Sequence, residues 1–104
     1  YDLIILDPPK FASSHYHVDR AARAYKDINL NGLRLLRAGG QLLTFSCSGA
    51  IDTDLFQKIV AGAVIDSRRQ AWALSRFGAG VDHPLLMTFP EGEYLKGLHL
   101  KLCD

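Results

Sequence analysis

A chain of 104 residues makes one domain at most and can bury only a modest core. Its 48% hydrophobic and 22% charged residues form an ordinary globular composition, which excludes a disordered or fibrous chain. The formal charge of +1 means that any contact with nucleic acid needs a local basic patch, and no apolar run approaches the ~20 residues of a membrane span.

The chain opens at Tyr1, without an initiator Met, directly on the apolar run Leu3-Ile4-Ile5-Leu6. It is therefore expected to be a piece of a longer protein. Such a run reads as a strand buried on both faces of a parallel sheet. It stops at Asp7, and Pro8 and Pro9 cannot extend a central strand. The acid is thus placed at the carboxyl end of an interior strand, the edge where open α/β sheets bind ligands.

Residues 12–18 form a small, polar connector. Asp19 is a suitable N-cap for a helix running to about Arg37, with Ala21, Tyr25, Ile28, Gly32, Leu35 and Leu36 as its buried stripe. Within it, Tyr25-Lys26-Asp27 reads as a core tyrosine beside two solvated charges. Gly39-Gly40 ends the helix, the first glycine offering the left-handed conformation that a side chain resists.

Gln41 to Phe45 is the second strand, and Ser46-Cys47-Ser48-Gly49 is the turn leaving its carboxyl end. A second helix opens near Asp52 or Thr53, buries Phe56, Ile59, Val60, Ala63 and Val64, and fades around 66–69. Ala71 to Phe77 alternates and so belongs near a sheet edge. Residues 78–92 form a long loop, a length that is usually functional or mobile. Tyr94 to Cys103 is the last strand. Strands joined by a helix run parallel, and the last two, joined without one, are expected to be antiparallel neighbours.

Asp7 and Cys47 therefore end two neighbouring strands, ~4.8 Å apart in the pairing direction, and face one crevice. An acid and a thiol together suit methylation at C5 of a pyrimidine, a carbon that is not nucleophilic at neutral pH. A thiolate adding to C6 activates C5, and an acid near N3 and the exocyclic amine stabilises the charge pushed into the ring. The bland reading of a lone cysteine is core packing, but two hydroxyls and a glycine beside Cys47 are poor core neighbours. Cys103, inside the last strand, reads as packing. Neither thiol has CxxC or Cys/His spacing, so no metal and no disulfide are expected, and a reducing cytoplasm fits.

For Asp7 the bland reading is a strand-ending turn acid, against which the double proline argues. On the same lip, Lys10 suits a phosphate and Phe11 a base stacked out of its helix, or else they are a solvated charge and a core plug. Ser46 and His83, the latter in an Asp82-His83-Pro84 segment fit for a lid, complete the substrate-side candidates. Arg68, Arg69, Arg76, Lys96 and Lys101 are scattered and form no nucleic-acid patch.

An aspartate, two prolines and a nearby aromatic are similar to the fourth-strand motif of nucleic-acid and protein methyltransferases. The order of elements resembles the C-terminal half of the class I, S-adenosylmethionine-dependent methyltransferase sheet. That resemblance implies an α/β fold with parallel strands four and five, an antiparallel hairpin of strands six and seven, and helices on the faces. With DPPKF, YKDIN, LLTFSCSG, DLFQKI, DHP and PEGEYLKG in order, the chain closely resembles one family over essentially its whole length. These are bacterial methyltransferases that make 5-methylcytidine in large-subunit ribosomal RNA and carry an amino-terminal PUA domain.

The resemblance implies Cys47 as nucleophile, Asp7 holding the target base and bordering the cofactor, and Pro8 and Pro9 shaping that pocket. Lys10 and Phe11 fall on the substrate side. Many RNA cytosine methyltransferases place a second cysteine directly after the proline of this motif, whereas here Pro9 and Lys10 follow Pro8. The glycine-rich loop after strand one, the ribose-gripping acid and the PUA domain are absent, so residues 1–104 carry half a cofactor site. Alone they are expected neither to bind S-adenosylmethionine tightly nor to turn over. Two other readings remain open: methylation of an exocyclic amino group through Asp7-Pro8-Pro9, and a non-catalytic half-domain that dimerises through the exposed edge of its first strand.

Overall fold

A computed structural model describes residues 1–9, 18–78 and 95–104. Six elements follow in order: β1 (Leu3–Leu6), α1 (Val18–Leu35), β2 (Gln41–Ser46), α2 (Thr53–Asp66), β3 (Ala71–Gly78) and β4 (Lys96–Leu102). β1 and β2 pair in parallel, the direction a helical crossover imposes. β3 and β4 pair antiparallel, and β4 also pairs antiparallel with β2. The sheet order is β1-β2-β4-β3, so the last strand is inserted between its two predecessors.

The core lies between one sheet face and the two helices. Leu42 of β2 and Leu98, Leu100 and Leu102 of β4 meet Phe56, Ile59, Val60 and Ala63 of α2 and Ala21, Tyr25 and Leu33 of α1. Tyr25 and Phe56 join the helices edge to face, with ring centroids 6.0 Å apart. Each buried Leu, Ile, Val or Phe among these contributes roughly 1.5–3 kcal/mol by leaving water. The charges of the Tyr25-Lys26-Asp27 segment stay outside: Lys26 pairs with Asp66 of α2 at 2.8 Å.

The other sheet face is open. Phe45 and Phe77 stack there at 6.1 Å, and Gly97 lies between them in the register. A Cβ on Gly97 would sit 2.5 Å from the Phe45 ring, so this row admits glycine alone. Leu3, Ile5 and Trp72 are 50%, 59% and 66% exposed.

This corrects the expectation for the first strand. Ile4 and Leu6 pack against the core, but β1 is an edge strand and its alternate side chains meet no second layer among the described residues. Asp19 falls in the first turn of α1 instead of capping it, because the helix already begins at Val18. The helix also ends two residues early, at Leu35. Its stripe runs through Ala21, Tyr25, Asn29, Gly32 and Leu33, while Leu35 is exposed. Asn29 enters that stripe by donating from Nδ2 to the Tyr25 carbonyl at 2.7 Å. Gly39 takes the expected left-handed conformation at φ +77. Cys103 lies beyond β4 and is exposed, so it is not a packing residue.

Arg69 ties the two halves together. Its guanidinium donates to the Leu33 carbonyl at 2.6 Å and to the Leu36 carbonyl, acceptors that the end of α1 leaves without helical partners. The same group pairs with Asp104 at 3.1 Å. Arg69→Met is therefore expected to cost about 2 kcal/mol by chemical denaturation, since hydrogen bonds from a charged donor are lost at a largely buried site. The Arg69 hydrogen bond also holds the Asp104 carboxyl below its ordinary value of 3.8. A depressed carboxyl stabilises the fold above that ordinary value, and the contribution is lost as pH falls through the lowered one. The stability difference between the wild type and Asp104→Asn should accordingly be present at pH 6 and shrink as the pH falls below the ordinary carboxyl value of 3.8.

Candidate active site at the carboxyl edge of the sheet

The register fixes how the two candidate groups leave the sheet. Leu6 lies opposite Thr44, so Asp7 is one residue beyond the last paired position of β1, and Cys47 is three residues beyond Thr44. Both exit at the same edge, from hydrogen-bonded parallel strands. The thiol is displaced outward by two residues, about 6–7 Å at the rise of an extended chain. Asp7 is exposed, Pro8 half-buried and Pro9 exposed. Among the described hydrogen bonds and ion pairs none joins Asp7 to Cys47. Lys10, Phe11 and His83 lie outside the described residues.

Cys47 is a half-buried free thiol on a braced turn. Ser46 is buried, and its Oγ accepts from the Ser48 amide at 3.3 Å, so this hydroxyl braces the turn from within. The Ser48 carbonyl accepts twice, from the Ile51 amide at 3.2 Å and from Lys96 Nζ at 2.8 Å. Asp52 then caps α2, accepting from the Leu55 amide at 2.7 Å. That cap sets the helix N-terminus five residues after the thiol.

Lys96 was expected among scattered surface charges, and the structure buries it. It opens β4 opposite Ser46, on the face that carries Leu98, Leu100 and Leu102. Burial pushes its ammonium below the usual 10.5, while the Cys47 sulfur and the Asp52 carboxylate push it back up. A period of two, counted back from the three leucines, would have found it. Among the described residues no group of three His, Cys, Asp or Glu could hold a metal ion, and no helix is long and apolar enough to cross a membrane.

The chain is 49% identical over all of its 104 residues to the ribosomal RNA large subunit methyltransferase I of Alteromonas mediterranea. It is 53% identical over 98 residues to the protein of that name in Shewanella frigidimarina. It matches one stretch of these enzymes. That stretch is 26% of the first and 25% of the second, so the chain spans about a quarter of the length of the curated relatives. No family model matches.

Among solved structures, a protein described as a methyltransferase and crystallised with SAH aligns at a TM-score of 0.70 and 22% identity, over 97% of this chain and 26% of its own. A protein from Streptococcus mutans described as SAM-dependent aligns at 0.65, over 97% and 25%. At that identity the likeness shows the fold alone: the sheet and its helices have a Rossmann-like α/β arrangement that matches one part of each of those structures.

Proposed function

We propose that this chain is the base-modifying part of an S-adenosylmethionine-dependent methyltransferase that makes 5-methylcytidine in large-subunit ribosomal RNA. On this reading residues 1–104 are the C-terminal part of one catalytic domain, and the rest of that domain and an RNA-binding domain belong to other parts of the protein. The observation that carries the reading is the exit of Asp7 and Cys47 from paired parallel strands at one edge, in a chain half-identical to named ribosomal RNA methyltransferases. The open Asp7-Pro8-Pro9 lip suits a bound cofactor, which would supply an electrophilic methyl group on sulfonium sulfur.

The residues then divide the work. The Cys47 thiolate forms a bond to C6 of cytosine, and the electrons of the C5–C6 double bond move to C5. Asp7 holds the N3 and amine edge of the base and stabilises that charge. C5 takes the methyl group, and the electrons of the broken sulfur–carbon bond stay with the donor's sulfur. Removal of the C5 proton restores the double bond and expels the thiolate. The neighbourhood that holds a releasing cysteine in many RNA cytosine methyltransferases reads Pro8-Pro9-Lys10 here, so another group or water serves the release step.

A fluorine at C5 leaves no proton to remove. RNA bearing 5-fluorocytidine is therefore expected to remain attached to the intact protein through Cys47, visible as a denaturation-resistant complex that maps to its peptide. Full turnover with no trapped complex would favour the amino-group reading, which needs no thiol.

A further inference from the structure

Lys96 is the one buried charged side chain among the described residues, 5% exposed. Its backbone pairs with Ser46, and its ammonium reaches the carbonyl of Ser48 at 2.8 Å. The side chain therefore runs past the turn on its inner side, and Cys47 lies between the two residues it spans. The titratable groups that act on it among the described residues are Cys47 from the turn and Asp52 from the start of α2. No carboxylate lies within ion-pair distance of it among the described residues. A methionine would fill similar space without the cost of burying a cation. The charge therefore has an effect to be found in its surroundings, and the group there that takes on a negative charge on deprotonation, before it attacks, is the thiol.

We propose that Lys96 is a positioning residue for Cys47, fixing the Ser46–Gly49 turn through the Ser48 carbonyl and setting an ammonium group beside the sulfur. The consequence for methylation rests on Cys47 being the nucleophile. The coupling itself does not, because it can be read on the thiol alone.

In the intact protein, the rate of Cys47 alkylation by iodoacetamide is followed from pH 5.5 to 9.5 by mass spectrometry of the peptide that carries it. Lys96→Gln keeps a donor for the Ser48 carbonyl and Lys96→Met removes it, and both remove the charge. Each is expected to move the profile's midpoint upward by half to one pH unit, slowing alkylation at pH 7 about 3- to 10-fold, whereas Lys96→Arg retains the wild-type profile. Unchanged midpoints in the neutral variants overturn the proposal.

Should those variants not fold, coupling is reciprocal and is read from the other side. The NMR titration of the Lys96 ε-methylene should reach its midpoint at lower pH in Cys47→Ala than in the wild type, and equal midpoints overturn the proposal. A shifted midpoint without a 5-fluorocytidine complex upholds the coupling and removes the covalent reading. A complex without a shift does the reverse.

Discussion

If Cys47 is the nucleophile of the proposed ribosomal RNA methylation, replacing it with alanine in the intact protein is expected to lower that activity by on the order of 10³-fold or more, the scale on which enzymes lose turnover when a covalent nucleophile is removed. The loss should fall on kcat, with KM little changed, because the thiol acts on the activated base and adds little to holding the RNA. Stability should be nearly untouched. Cys47 is half-buried and outside the core cluster, and such sites usually move stability by no more than about 0.5 kcal/mol. Cys103→Ala serves as the control, because that thiol is exposed at the far end of β4. Equal turnover in the wild type and Cys47→Ala would remove the adduct and bring forward transfer to an exocyclic amine held by Asp7 and the Pro8 carbonyl.

The pairing behind that prediction was legible because it depends on short-range signals. The run Leu3–Leu6, the stop at Asp7-Pro8, the Gly39 turn and the second strand from Gln41 to Phe45 each announce themselves locally, the strand running one residue further, to Ser46, in the structure. Strands joined through a helix then have to be parallel. The start of α2 was equally plain, since Asp52 caps it through its own side chain.

What was not legible depends on partners distant in sequence. Leu3 and Ile5 look like Ile4 and Leu6 in the sequence, and only the absence of a second layer among the described residues separates them. Asn29 sits in the α1 stripe with its Nδ2 donating to the Tyr25 carbonyl one turn earlier, a local bond that a hydrophobic period cannot register. The burial of Lys96 and Ser46 follows from β4 pairing with β2 across fifty residues of sequence. The alternation Lys96, Leu98, Leu100, Leu102 held that signal, but a charged side chain at its head reads as the end of a core face, not as part of it.

Phe56→Ala should give the largest loss of stability, about 3–5 kcal/mol in chemical denaturation, since it removes a buried ring where α1, α2 and the sheet converge. Phe56→Leu, which refills most of that volume, should cost under half as much. A domain with about 5–15 kcal/mol to lose would keep between almost none and about four-fifths of its stability. The midpoint denaturant concentration should fall while its slope stays constant. Activity will fall as well, for a different reason from that in Cys47→Ala. Phe56 is in the first turn of α2, and its amide donates to the carbonyl of the Asp52 cap at 2.9 Å, so the helix start that follows the Cys47 turn rests on this ring. If the ring only supports the fold, cooling Phe56→Ala toward its temperature of maximum stability restores turnover per molecule, whereas no temperature restores it in Cys47→Ala. Turnover that stays low in a fully folded Phe56→Ala protein would mean that the helix start positions the thiol directly, joining core packing to the chemistry at the sheet edge.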